Sequence, residues 1–284
     1  MESFFSFLEK RVDDCSSLLC VGLDPHVSDL TEPTAAGART FCLNLVKQTA
    51  PYAAAFKPNA AFFEQFGAEG WTVLKQVIDA IAEESARRGS LIPVILDAKR
   101  GDISSTAEAY AKSAFETLGA HCITLSPYLG KDSIEPFIQN SEKGVFLLCK
   151  TSNSGAGDLQ DIPVASGQWS VGSQGTATEH QPLYIHVARL AETWNIKNNI
   201  GLVVGATQPE ALTRVRTTVP KMWFLAPGVG AQGGDLESAL KAGLRTDGKG
   251  MLLPVSRGIS RAKNPGLAAA EFRDTILNIK RDLH

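Results

Sequence analysis

The chain has 284 residues, 44% of them hydrophobic and 20% charged, with a formal net charge of −2. This is the composition of a water-soluble globular protein, and the length suits one large α/β domain or two smaller ones. Charge of neither sign collects into blocks, which argues against a nucleic-acid partner or a membrane surface, and no apolar run approaches the roughly 20 residues of a membrane span. The opening MESFFSFLEKRVDD places acids early and lacks the basic start and apolar core of a signal peptide. Five cysteines, Cys15, Cys20, Cys42, Cys122 and Cys149, form an odd, widely spaced set with no CxxC pair. They are expected as reduced, mostly buried thiols in a cytoplasmic protein.

Short apolar runs alternate with amphipathic ones from end to end. The first predicted strand, 17–23 (SLLCVGL), closes on Asp24. A helix follows over 34–49, with Phe41 and Leu45 at helical spacing. The second strand, 53–56, ends on Lys57-Pro58, where the proline cannot extend the ladder. A long helix over 70–88 aligns Leu74, Val77, Ile78 and Ile81 on one face. The third strand, 91–96 (LIPVIL), is apolar throughout, as a strand buried on both faces is. A helix over 107–118, a strand over 122–125, a short helix near 133–140 and a strand over 144–149 come next. The last strands are 201–204, 223–226 and 251–255, and a helix over 267–282 closes the chain. Eight strands, each followed by helix or loop, predict a (β/α)8 TIM barrel, a single domain over 1–284 with no boundary or further repeat. A doubly wound open sheet is the alternative, but no GxGxxG turn follows the first strand. One segment breaks the rhythm. Residues 151–181, after strand five, are rich in Gly, Ser and Thr and lack apolar periodicity; this long loop is predicted to be an ordered lid or wall of the site.

The stretch LDAKRGDISST (96–106) places Asp97, Lys99 and Asp102 at the end of the third strand. Two residues apart on an extended chain, Asp97 and Lys99 share a face. Carboxylate and ammonium at the mouth of an apolar strand are costly to desolvate unless they serve each other or a ligand. Gly101 is expected to allow a tight turn, and Ser104, Ser105 and Thr106 to offer cap hydroxyls to the following helix. Taken alone, the stretch reads equally as a structural salt bridge. Its neighbours favour a site, because a barrel gathers the C-terminal ends of its strands. Those ends supply Asp24, Lys57, Asp97 with Lys99, Ser152, Gln232 and Arg257 with the Gly258 N–H. The loops PGVGAQGGD (227–235) and VSRGIS (255–260) pair glycine-rich backbone with an arginine after strands seven and eight. Each could be only a turn; together they predict a phosphate grip.

At this point the chain resembles the orotidine 5′-phosphate decarboxylase family. DAKRGDISST looks like its signature, APGVGAQGGD and VSRGI like its phosphate loops, and GLDP, FKPN and CKTSN keep matching positions from strand one to strand eight. The likeness is to the longer, bacterial-type branch, although Ser154 stands in TSNSG where such relatives are expected to carry proline. The resemblance implies a barrel acting as a homodimer that converts the nucleotide orotidine 5′-monophosphate to UMP and CO2 with neither metal nor organic cofactor. It implies that Lys99 protonates C6 of the pyrimidine, that Asp97 lies against the substrate carboxylate, and that Lys57 holds the array and a ribose hydroxyl. Asp24 would bind the ribose and Ser152 the pyrimidine amide edge. Gln232, Arg257 and the Gly258 N–H would hold the phosphate, and Asp102 and Thr106 would reach into the other subunit's site.

Two rivals share parts of this pattern. A sugar-phosphate decarboxylase or aldolase with a DxKxxD metal site would want a further acid near the motif, where this chain has Lys57. A non-catalytic UMP-binding barrel would be expected to have lost Lys99 or Asp97. The histidines, His26, His121, His180, His186 and His284, show no HxH or HExxH spacing, so no metal site is expected. The four tryptophans read as packing residues, with Trp169 in the long loop the one of interest.

Overall fold

The structure is a computed structural model in which residues 2–165, 180–229 and 235–283 are described. In chain order the strands are β1 (Leu19–Leu23), β2 (Ala55–Pro58), β3 (Ile95–Arg100), β4 (Cys122–Leu125), β5 (Gly144–Lys150), β6 (Pro163–Ala165), β7 (His180–Pro182), β8 (Ile200–Val204), β9 (Phe224–Leu225) and β10 (Met251–Val255). Eight of them form one sheet in the order β2-β1-β10-β9-β8-β5-β4-β3, and every pairing in it is parallel. Parallel bridges from Phe56 to Val94 and from Asn59 to Asp97 join the two end strands. The sheet therefore closes on itself as a (β/α)8 barrel. β6 and β7 form a separate antiparallel ribbon.

Barrel strands such as LCVGL of β1 and IGLVV of β8 are buried from end to end, because side chains fill the barrel on one face and helices cover the other. The helices Ala35–Thr49, Gly67–Arg88, Leu183–Trp194 and Pro265–Leu283 turn their apolar stripes inward. At the N-terminal ends of the strands lies an element that the sequence reading missed, the helix Phe4–Cys15. Ser3 caps it, accepting from the Ser6 N–H at 3.2 Å. Its Phe5 ring packs on Phe146 at 5.6 Å and on Trp223 at 6.0 Å. Phe4 lies over Gly144 so closely that a Cβ there would stand 2.2 Å from the ring. The helix thus plugs the barrel floor, with each phenylalanine contributing roughly 2 kcal/mol of apolar burial.

All eight predicted barrel strands are present, with some ends displaced. β3 begins later than the expected 91–96 and runs past it to include Asp97, Lys99 and Arg100, so Asp97 and Lys99 lie in the strand and Asp102 beyond it. The expected helix at 107–118 begins earlier, as Ser104–Lys112, and continues into a wider turn over Ser113–Thr117. The cap hydroxyls expected at Ser104, Ser105 and Thr106 do not cap it. Ile103 occupies the capping position without a side-chain bond, and Ser104 is already the first helical residue. Gly101 is likewise absent from the positive-φ residues; the left-handed residues here are Lys99, at φ 48°, and Ser104, at φ 51°. The short helix near 133–140 is the single turn Glu135–Ile138. The segment 151–181 is not plain loop, since it contains the helical turns Ser154–Ala156 and Gly157–Gln160 and strand β6, and β7 begins at its end. Trp169 lies outside the described residues. All five cysteines are free and buried, and among the described residues no helix is long and apolar enough to cross a membrane.

Candidate active site

The C-terminal ends of the barrel strands open into a cavity of about 740 Å³. Asp24, Lys57, Asp97, Lys99, Ser152, Arg257 and Gly258 all line it, so topology brings together seven of the ten residues singled out in the sequence. Asp102 and Thr106 do not line it. Asp102 Oδ1 accepts from the Ile103 N–H at 2.8 Å, and Thr106 is exposed on the helix Ser104–Lys112. Gln232 lies outside the described residues.

Asp97 is the centre of the charged array. Its Oδ2 accepts from Lys57 Nζ at 2.6 Å and its Oδ1 from Lys99 Nζ at 2.5 Å. The two lysines differ in exposure: the side chain of Lys57 is 9% exposed and that of Lys99 is 50% exposed. One ammonium is sealed into the wall and the other is presented to the cavity. The i, i+2 spacing does bring Asp97 and Lys99 together, but not by simple strand alternation. The pairing of β3 with β4 shifts register between Leu96 and Arg100, and Lys99 takes a left-handed backbone. Such strain persists only where surrounding contacts hold it, and it concentrates at functional sites.

Burial opposes ionisation of Asp97, yet the charges of Lys57 and Lys99 and their hydrogen bonds outweigh it and hold the carboxyl well below the usual range. Burial also disfavours the Lys57 cation, while Asp97 and then Asp24 more than compensate and push its pKa upward. The shifts are mutual, so this buried pair is charged at neutral pH.

The rest of the cavity is polar at one side and glycine-rich at another. Asp24 Oδ1 and Ser256 Oγ are buried with no hydrogen-bond partner among the described residues, the kind of atom that a polar ligand satisfies. Arg257 is exposed at the start of the helical turn Arg257–Ser260, and no carboxylate pairs with it among the described residues. Past β5, Lys150 Nζ meets Asp161 Oδ1 at 2.7 Å. Gln160 bonds both the N–H and the hydroxyl of Thr151, at 2.9 and 2.8 Å. These contacts fold 151–161 back along the strand end and set Ser152 on the cavity wall. Gly205 makes room for it: a Cβ there would come within 3.0 Å of Ser152.

Several wall residues were not read from the sequence. His26 and Phe62 meet edge to face at 4.3 Å on the wall beside Asp24. Asn153 and Gln160, also on the wall, belong to the segment 151–181 expected as an ordered lid or wall. Thr124 is a buried hydroxyl in the otherwise apolar strand CITL; that contrast was the available signal. Among the described residues no three His, Cys, Asp or Glu side chains gather as a metal-holding group.

Fold and cavity together define a (β/α)8-barrel protein with a polar cavity at the C-terminal ends of its strands, the place where enzymes of this fold carry their active sites. The sequence pattern of the orotidine 5′-phosphate decarboxylase / HUMPS family matches residues 17–272, and the chain belongs to that family. The orotidine 5′-phosphate decarboxylase of Roseiflexus castenholzii is 45% identical, with 96% of this chain and 97% of that protein covered. The solved OMP decarboxylase of Leishmania donovani is 50% identical over 99% of this chain and all of that one, with a TM-score of 0.85. Leishmania donovani UMP synthase is 52% identical with a TM-score of 0.86. The chain spans 57% of that protein's length and is itself covered to 99%.

Proposed function

We propose that the protein decarboxylates orotidine 5′-monophosphate to UMP and CO2, without metal or organic cofactor, and that Lys99 donates the proton. The observation that carries this reading is the division of labour at Asp97, where one lysine is sealed and the other faces the cavity. In the reaction the bond from C6 to the carboxylate breaks and its electron pair stays on C6. No adjacent carbonyl accepts that charge, so a fixed ammonium beside the carbon both stabilises it and supplies the proton. Lys99 is then reprotonated from solvent. Asp97, ionised and held by Lys57, keeps Lys99 aimed and lies against the substrate carboxylate. Asp24, with its unpaired Oδ1, takes the ribose, and Ser152 reads the pyrimidine amide edge.

Arg257, the Gly258 N–H and Gln232 hold the phosphate. The phosphate is remote from the bond that breaks, so its binding energy organises the site for the transition state. Strand two ends on Lys57 where a metal-dependent relative would need another acid, which favours the metal-free route. The test is direct. Purified protein mixed with orotidine 5′-monophosphate should lose absorbance near the orotate band, and should do so after dialysis against EDTA. No change in absorbance would sink the activity, and EDTA inhibition reversed by Mg²⁺ would sink the metal-free mechanism.

The same reading makes the enzyme a cytoplasmic homodimer, with Asp102 and Thr106 completing the partner's site. Their position outside the chain's own cavity supports this. Lys99→Ala and Asp102→Ala proteins should each be nearly inactive, and mixing them should restore roughly a quarter of parental activity, because about half the dimers are mixed and each holds one intact site. Absence of recovery after confirmed subunit exchange would leave each barrel self-contained.

A further inference from the structure

β4 (Cys122–Leu125) carries a single hydroxyl in an apolar strand, Thr124, which is 1% exposed and reaches the cavity wall. A threonine hydroxyl donates one hydrogen bond and accepts two. Thr124 Oγ1 donates to Asp97 Oδ1 at 3.1 Å and accepts from the N–H groups of Ala98 and Lys99 at 3.0 and 2.9 Å. Its whole capacity is spent on three consecutive residues of the neighbouring strand. Those are the residues where β3 leaves its regular ladder with β4, between Leu96 and Arg100. At the left-handed turn of Lys99 both consecutive N–H groups, of Ala98 and Lys99, point to β4, and the Thr124 hydroxyl is the acceptor for both. Below the break Leu96 pairs with Ile123, and beyond it Arg100 pairs with Leu125. The Ser126 N–H then bonds Arg100 O at 2.7 Å.

We infer that Thr124 is a positioning residue for the proposed decarboxylation: its hydroxyl locks the turn that presents Lys99 and orients the Asp97 carboxylate between the two lysines. It acts through those groups rather than on the substrate. Valine cannot replace it, since a methyl leaves both N–H groups and one carboxylate lone pair unmet, whereas serine keeps all three bonds. The inference rests on the decarboxylase reading only for the choice of reaction to be measured.

The experiment compares Thr124→Val and Thr124→Ser with the parent enzyme. Misplacement of a catalytic group by about an ångström costs on the order of 100-fold, so Thr124→Val should lower kcat by about that factor. KM and the dissociation constant for UMP should stay within about threefold, because the phosphate grip is elsewhere. Thr124→Ser should recover most of the lost kcat, and a crystal structure of the valine variant should show Lys99 out of its left-handed conformation. Should Thr124→Val fail to fold, Thr124→Cys, whose thiol is a much weaker donor and acceptor, should give the same split. A kcat within about threefold of the parent, a serine variant as impaired as the valine one, or a parallel loss of UMP affinity would each overturn the inference. An inactive parent enzyme would instead overturn the decarboxylase reading, and the Lys99 backbone of the valine variant would still decide the role of Thr124.

Discussion

The two ends of the barrel hold cations for opposite purposes. At the floor, Arg11 donates to the carbonyls of Ala53 and Ala50 at 3.0 and 2.7 Å. Arg216 donates to those of Gly243, Met222 and Gly250 at 2.9, 2.7 and 2.9 Å and lies over the Phe224 ring. These guanidinium groups satisfy backbone carbonyls around the strand starts. At the mouth, Lys57 and Lys99 share one carboxylate, Lys99 faces the cavity, and Arg257 has no acidic partner among the described residues. Cations therefore mark stability or chemistry according to what they bond, since a fully spent donor set leaves nothing for a ligand.

The contrast breaks most visibly at Lys99. Lys99→Ala leaves Asp97 paired with Lys57, so the fold should survive with its melting temperature nearly unchanged, while kcat falls by more than about 1,000-fold. UMP affinity should change far less. Turnover within about tenfold of the parent would move the chemistry away from the mouth array. Arg216→Met probes the other end. It strands several carbonyls in a buried site, so the unfolding free energy should drop by about 3 kcal/mol by urea titration. Below the melting transition kcat and KM should be those of the parent, and a selective loss of kcat would erase the division between floor and mouth.

Arg257→Ala sharpens the comparison within the mouth. Removing charge-assisted bonds to a phosphate should weaken UMP binding and raise KM by roughly 10- to 100-fold, a loss of about 1.5–3 kcal/mol. Uridine, which has no phosphate, should bind as before. An equal loss for both ligands would make Arg257 a structural residue like those of the floor.

The mouth was far more legible in the sequence than the floor. Asp24, Lys57, Asp97, Lys99, Ser152 and Arg257 each end an apolar run, and a barrel converts that one-dimensional position into a shared cavity. The floor offered no such marker. Phe4, Phe5 and Leu8 are half of an amphipathic pattern, and the partners of Phe5, Phe146 and Trp223, lie far along the chain, so MESFFSFLEK carries no local sign of the surface it covers. Arg11 and Arg216 look like ordinary surface charges on helices until the carbonyls they serve are brought beside them. Thr124 was hidden for a related reason, because its three partners are on another strand. Alternation could not foresee the left-handed Lys99, which departs from the regular strand geometry that the rule assumes.

The smallest effect expected is a pH dependence that starts at the floor and spares the mouth. His121 precedes β4 at its N-terminal end, and its Nδ1 accepts from the Val94 N–H at 3.1 Å. The ring must be neutral to do so. Burial, and then the charge of Lys143, push its pKa down from 6.5 to about 4. In the unfolded chain the same ring binds a proton at its ordinary pKa, so between about pH 6.5 and 4 the unfolded state carries more protons than the folded one. The stabilisation due to His121 is therefore complete above that window and is lost as the pH falls through it. Asp97 behaves differently: its depressed pKa keeps it ionised across the same window, and its contribution is lost only as the pH falls from the ordinary carboxylate pKa of the unfolded chain towards its own lower one. Between pH 7 and 4.5 the His121→Asn protein, which keeps an acceptor but does not titrate, should lose about 2 kcal/mol less unfolding free energy than the parent. Urea titrations of both proteins at the two pH values measure that difference directly, since the remaining carboxylates contribute equally to each. Identical losses would mean that His121 is protonated in the folded protein as readily as in the unfolded one, and the floor would then have no part in the acid response.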